Sequence, residues 1–365
     1  MSNEKNIGTP RPSDHHIAHL SVFIGRFQPA HFGHYYVIRQ ALKNTDCLVV
    51  LVGSAGQPRD YFNPFTFEER KQMIEQCIPA EDRGRVCIQP LYDWTYDENR
   101  WLVDVQTAVR TAQQHFGLDW TSRVTLIGHS KDRSSYYLKR FPQWSSFEVA
   151  NYHDLSSTPL RKAYFADNWT PDLAETVPAA VAEFLTSFRT TADHRELVEE
   201  FTFIAKYRKQ YEGLPHPPTF NTTDACVIQS GHVLMVERKA RPGKGLWALP
   251  GGFVEHDEWI DESVLRELKE ETGIKVAEPV LRGSFVTQRK FDAPYRSARG
   301  RTITFASLFH LTPQVELPKV KGDNKETKKA FWVPIAELPR EKCFEDHFHI
   351  IHALADELKN KPKAA

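Results

Sequence analysis

This 365-residue chain has few cysteines, no net charge and no long apolar run. Its five cysteines, Cys47, Cys77, Cys87, Cys226 and Cys343, stand far apart, with no Cys-x-x-Cys pair among them. That spacing excludes a zinc ribbon or a disulfide framework as the source of stability. With no secretory leader, they read as the reduced thiols of a cytoplasmic protein. No apolar stretch approaches the ~20 residues of a membrane span, so no membrane partner is expected. The 47 basic and 47 acidic side chains cancel, which gives no support for nucleic-acid binding. No internal repeat is visible, and a homo-oligomer is compatible with the composition. The length suits two domains, each with its own core.

What is present is concentrated in two places. Residues 252–274 form an acidic helix entered through a glycine turn, with Ile260, Val264, Leu265 and Leu268 as its apolar stripe. At about 100° per residue, Glu267, Glu270 and Glu271 share one arc of about 100° that overlaps the edge of that stripe. Like charges three and four residues apart repel, and partial burial raises the cost. A hard divalent cation with oxygen ligands compensates them best, against the plainer reading of a solvated acidic face.

The second place lies two hundred residues earlier. Val22-Phe-Ile-Gly25 reads as a buried parallel strand, and Leu48-Val-Val-Leu-Val52-Gly53-Ser54 as the next one. Between them Arg26-Phe27-Gln28-Pro29-Ala-His31-Phe-Gly33-His34 leads into a helical pattern. A helix start offers free N–H groups and a positive dipole end to an anion, histidines can donate to phosphate oxygens, and Gly33 admits close approach. The loop is neither a Walker sequence nor a Gly-x-Gly-x-x-Gly fingerprint.

The acidic segment resembles the Nudix hydrolase signature, with Gly252, Glu258, Arg266, Glu267, Leu268, Glu270, Glu271, Gly273 and Ile274 filling its fixed positions. The resemblance implies Mg²⁺ or Mn²⁺ on Glu267, Glu270, Glu271 and a carbonyl near Gly251 or Gly252. Water then attacks a diphosphate, with Glu271 as a catalytic residue. Glu258 and Arg266 are expected to be structural partners of loop and helix. The general base is left open.

The earlier loop resembles the nucleotidyltransferases of the HxGH group, and within them the nicotinamide mononucleotide (NMN) adenylyltransferases of the bifunctional type. Ser156-Ser157-Thr158-Pro-Leu-Arg161 resembles that group's phosphate motif, although it also reads as an ordinary helix cap. The resemblance implies ATP and NMN as substrates, with His31, His34, Arg26 and Arg161 holding the phosphates in line. Gly25, Phe27, Gln28, Gly33, Gly53 and Ser54 would shape the pocket. Asn63, Phe65, Thr66 and Arg70 resemble the family's substrate loop. Asn99 and Trp101 resemble its nicotinamide-side segment, and Gly128, Lys131 and Asp132 its adenosine-side loop. Trp101 reads equally as a packing residue.

These resemblances imply an α/β chain. A Rossmann-like nucleotidyltransferase domain with a parallel sheet would occupy 18–187, after a flexible tail over 1–17. A helical connector would span 188–213, and an α/β/α Nudix sandwich with a mixed sheet 214–360. Fusion to an NAD-making domain implies ADP-ribose as the hydrolase substrate. Arg289 and Arg299 fall in what resembles that subgroup's long loop and following strand, where they would meet a diphosphate or ribose, or be a solvated basic loop. The proline common about sixteen residues past the box is absent, since Lys290 stands there and Pro294 comes later. Two alternatives remain: a Nudix half that senses a ligand or cleaves another dinucleotide, and a first half that adenylylates a different phosphate.

Overall fold

The structure, a computed structural model, describes residues 19–128 and 140–359. The tail over 1–17, Lys131 and Asp132 lie outside the described residues. In the first unit β1 (His19–Gly25), α1 (Phe32–Asn44), β2 (Cys47–Val52), α2 (Phe67–Cys77), β3 (Val86–Pro90), α3 (Glu98–His115), β4 (Arg123–Gly128) and β5 (Ser145–Glu148) alternate along the chain. Then come α4 (Ser157–Phe165), α5 (Pro171–Ala174), α6 (Ala179–Phe188) and α7 (Ala192–Lys209).

The five strands are all parallel, in the order β3-β2-β1-β4-β5. Alternation along β1 divides the core. Leu20 and Val22 pack with Val49, Leu51 and the α3 residues Val105 and Val109, whereas Phe23 joins Val50, Val52 and the α1 residues Val37 and Ile38. Helices thus cover both faces. The strand order reverses at β1, so the crevice between the C-terminal ends of β1 and β4 is where a ligand fits.

The span expected to be a connector is mostly α7, and it belongs to the first core. Leu197 and Phe201 pack beside Val181, Leu185 and Phe188. With Ile204 they form an i, i+4, i+7 stripe that could not stay solvated.

The second unit holds β6 (Thr219–Gln229), β7 (His232–Arg238), β8 (Trp247–Ala248), β9 (Gly251–Phe253), α8 (Ile260–Thr272), α9 (Glu278–Gly283), β10 (Phe285–Phe291), β11 (Arg301–His310), β12 (Thr327–Pro334) and α10 (His347–Lys359). The sheet runs β10-β11-β6-β7-β12, with β8 on β7 and β9 on β6. It is mixed, because β6 and β11 run parallel while the other pairs are antiparallel. Ala225 and Val227 face α8 through Val264, Leu265 and Leu268; Cys226 and Ile228 face α10 through Ile350, Ile351 and Leu354. The result is an α/β/α sandwich. Arg289, expected in a long loop and following strand, lies within β10, paired with β11.

The units meet through ion pairs and hydrogen bonds. Arg241 reaches Glu196, Glu199 and Glu200 of α7, the Tyr96 hydroxyl donates to Asp346 at 2.5 Å, and Arg340 donates to the Asp93 carbonyl at 2.6 Å. Among the described residues no helix is long and apolar enough to cross a membrane.

Two candidate active sites

The first site is built where β1 ends. His31 is the N-cap of α1, and its Nδ1 accepts the Gly33 N–H at 3.1 Å, while His34 Nδ1 accepts the His31 N–H at 3.3 Å. Each ring therefore uses Nδ1 as an acceptor, which leaves the proton of the neutral imidazole on Nε2. The two rings lie 3.8 Å apart. Gly33 makes this arrangement feasible, since a Cβ there would sit 2.9 Å from the His31 ring.

Several expected substrate residues turn out to support the loop from inside. The Gln28 side chain is buried and bonds both the N–H and the carbonyl of Phe65, at 3.0 and 2.9 Å. Phe65 itself lies in the core. Arg70 is fully buried and donates to the carbonyls of Arg26, Gly53, Ser54 and Thr66. Burial pushes its pKa down to about 10, and Asp93 opposes that. Thr66 caps α2 in a capping box with Glu69. Phe27 is buried against Phe23 and His34, with its backbone in the left-handed region at φ 54°. Such strain in a bulky residue is uncommon and gathers where a loop is shaped for a ligand. Ser54 shares it at φ 51°, and its N–H meets Asp93 at 3.3 Å. Gly53 donates to the Gly25 carbonyl at 2.8 Å, tying the two strand ends together.

The start of α4 joins this loop. Ser157 Oγ donates to the Pro29 carbonyl at 3.0 Å and Arg161 to the Gln28 carbonyl at 2.9 Å. Arg161 is 4 % exposed, and burial, then the neighbouring Arg26, lowers its pKa to about 10, so it stays charged at neutral pH. Ser156 stands at the N-cap but makes no side-chain cap bond, and Thr158 is exposed. Gly128 ends β4 across the crevice. Asn99 is exposed at the start of α3, and the half-buried Trp101 packs on Phe141. Asn63 is not in this group; it lines a cavity between the two units.

The second site lies on α8, in a cavity of about 810 Å³. Arg266 pairs through both ends with Glu258 at 2.8 and 2.9 Å and also reaches Glu267 and Glu270. Glu271 accepts the Gly251 N–H at 2.9 Å. Burial, with Glu267 and Glu326 nearby, pushes the Glu271 pKa up to about 8 despite that bond, and Glu267 is raised by burial as well. A Cβ on Gly252 would stand 2.5 Å from Glu267 Oε1, so only glycine lets that carboxylate lie against the loop. Among the described residues no three donors converge as a ligand cluster, and Arg266 pairs with both Glu267 and Glu270. The donor set itself, hard carboxylates short of positive charge, fits a divalent ion.

Three further groups enter the cavity that the sequence reading did not single out. Glu326 comes from the segment before β12 and Asp224 from β6, buried and bonded to Thr304. His347 opens α10; its Nδ1 accepts the Leu249 N–H at 2.9 Å, so its proton is on Nε2, 3.9 Å from Asp224. Arg299 lines the cavity and lies over Phe253. Arg289 does not; it pairs with Glu357 and faces a separate pocket with Trp94 and Arg100.

A doubly wound parallel sheet with paired histidines at its switch point, joined to a sandwich with an acidic helix behind a Gly-Gly turn, defines a nucleotidyltransferase unit and a Nudix unit in one chain. Comparison with known proteins agrees. Residues 22–239 match the cytidylyltransferase-like family and 218–354 the NUDIX domain; in the structure their overlap is β6 and β7 of the second sheet. A nicotinamide/nicotinic acid mononucleotide adenylyltransferase of Acinetobacter baylyi is 35 % identical over 49 % of this chain and 92 % of its own. An ADP-ribose pyrophosphatase of Methanocaldococcus jannaschii is 33 % identical over 39 % of this chain and 76 % of its own. A bifunctional NMN adenylyltransferase/ADP ribose pyrophosphatase of Francisella tularensis superposes with a TM-score of 0.85 at 36 % identity, covering 93 % of this chain and 99 % of that one. Its crystal structure with AMP and a manganese ion matches with a TM-score of 0.83. The chain belongs to the cytidylyltransferase-like family and, with its NUDIX domain, to the bifunctional group that the Francisella protein represents.

Proposed function

We propose that the first unit transfers the adenylyl group of ATP to NMN, giving NAD and pyrophosphate, and that the second hydrolyses ADP-ribose to AMP and ribose 5-phosphate. The observation that carries this reading is agreement with a bifunctional relative over 93 % of this chain, together with the histidine loop and the acidic helix lying in one chain.

In the first reaction a phosphate oxygen of NMN attacks the α-phosphorus of ATP and the bond to pyrophosphate breaks. The attacking monoester is already mostly dianionic near pH 7, so no general base is needed. The task is to align two anions and to stabilise charge growing on the leaving group. Nε2–H of His31 and His34, the cation of Arg161 and the exposed Arg26 are suited to that, while Gln28 and Arg70 hold the loop. Trp101 or the segment around Asn99 would meet the nicotinamide.

In the second unit Glu267, Glu270 and Glu271 would hold a divalent ion, Mg²⁺ or Mn²⁺, which neutralises a diphosphate and lowers the pKa of water. Glu258 keeps Arg266 at the helix, Gly252 makes room for Glu267, and His347 holds the Leu249 N–H beside the loop. Arg299 is placed to meet the substrate's phosphate or ribose. The test is product analysis with ADP-ribose and, separately, ATP plus NMN. AMP with ribose 5-phosphate, and NAD with pyrophosphate, support the reading. Failure to cleave ADP-ribose with either ion would refute its second half.

A further inference from the structure

Between the two units lies a cavity of about 310 Å³, lined by none of the residues to which the two proposed reactions assign a role. Five carboxylates line it, among them Asp60 after β2, Glu200 on α7 and Glu345 before α10. Glu200 is engaged by Arg241 and the Gly243 N–H. Arg296, also in the wall, is committed through both ends to Asp346. Among the described residues, Asp60 and Glu345 make no ion pair within 4.0 Å, although Asp60 accepts the N–H groups of Phe62 and Asn63.

Three buried atoms of the lining residues also lack any hydrogen-bond partner: Asn63 Oδ1, Glu345 Oε1 and His349 Nδ1. His349 is 5 % exposed. The amide and carboxylate oxygens can only accept, and an unprotonated imidazole nitrogen accepts too. Leaving such groups buried and unpaired is costly. Glu345 adds backbone strain, at φ 45°. Tyr61, Phe62 and Phe344 supply aromatic surface, against which a cation is favourable. The wall therefore asks for positive charge and several N–H donors in a volume at the small end of ligand sites.

We propose that this junction binds a small organic cation, an amine or guanidine with several N–H donors, held between the two catalytic units. Its occupant touches the surroundings of both sites. Glu345 and Phe344 also line the hydrolase cavity, and Asp93 in the same wall accepts the Ser54 N–H beside the phosphate loop.

The experiment is calorimetric titration of the full chain with agmatine, putrescine and spermidine, and with succinate as an anionic control. At least one of the cations should bind saturably with one site per chain. Asp60→Asn and Glu345→Gln should each weaken it about tenfold or more, the scale of losing one partner of a buried charge contact. Circular dichroism checks folding, and if Glu345→Gln does not fold, Asp60→Asn alone decides. Three results overturn the proposal: no saturable binding of any of the three cations, binding unchanged in the folded variants, or succinate binding as well as they do.

Discussion

Gly252→Ala isolates one geometric requirement of the hydrolase site. A Cβ at this position would lie 2.5 Å from Glu267 Oε1, and an ordinary contact begins near 3.4 Å, so the carboxylate must retreat by about 0.9 Å. Arg266 holds the same oxygen at 2.9 Å, which limits its freedom to swing away. The backbone at Gly252 is not in the left-handed region, so the substitution brings no conformational strain of its own. A misplacement of about 1 Å in a catalytic constellation costs ~10²-fold in rate. Metal-dependent ADP-ribose hydrolysis should fall by about that factor, with NAD synthesis and thermal stability close to wild type. The assay is initial-rate hydrolysis across a Mn²⁺ series, beside adenylyl transfer on the same preparation. Hydrolysis within threefold of wild type at every metal concentration would refute the reasoning.

Other outcomes follow from the same contacts. Arg70→Met removes the donor to four loop carbonyls and should lower both the melting temperature and NAD synthesis, read by thermal unfolding and initial rates. His347→Phe takes away the acceptor of the Leu249 N–H; hydrolysis should drop while adenylyl transfer is kept, and His347→Asn should restore part of it in the same rate assay. Asp60 is held up to about 6 by burial and by Glu345 and Glu200, although the N–H groups of Phe62 and Asn63 and the nearby Arg161 favour its charge. A carboxyl raised above its unfolded value takes up a proton on folding. Its contribution is therefore complete below pH 4 and is lost as pH rises through about 6. Asp60→Asn should flatten that part of a melting-temperature profile between pH 4 and 8 and melt higher than wild type at pH 8.

What the sequence made legible is what sits close together along the chain. The carboxylates of α8 and its glycine bracket lie within 23 residues, and helical period alone puts them on one face. The histidine loop is equally local, and hydrophobic runs marked β1 and β2 as buried parallel strands. Residues whose task depends on distant partners were harder to read. Gln28 and Phe65 were expected to touch substrate, yet they clasp each other across 37 positions. Arg70 carries charge in a motif that resembles a binding loop, but its guanidinium is taken up by carbonyls in the interior. His347 meets Leu249 across 98 positions, and Asp224 and Glu326 arrive from other strands and loops, so no spacing rule would find them. Arg289 was read through its resemblance to a long loop and following strand that meets substrate, whereas it lies in β10 beside β11 and its side chain pairs with Glu357. The stripe of Leu197, Phe201 and Ile204 was readable as an amphipathic face, but which core it would enter was not.

Two sites working independently in one chain is the central claim, and crossed inactivation tests it most directly. His34→Ala and Glu271→Gln would each be assayed for NAD synthesis and for metal-dependent ADP-ribose hydrolysis. The account predicts that His34→Ala loses synthesis and keeps hydrolysis, while Glu271→Gln loses hydrolysis by at least ~10²-fold and keeps synthesis. Loss of both activities in either variant, at a wild-type melting temperature, would contradict it.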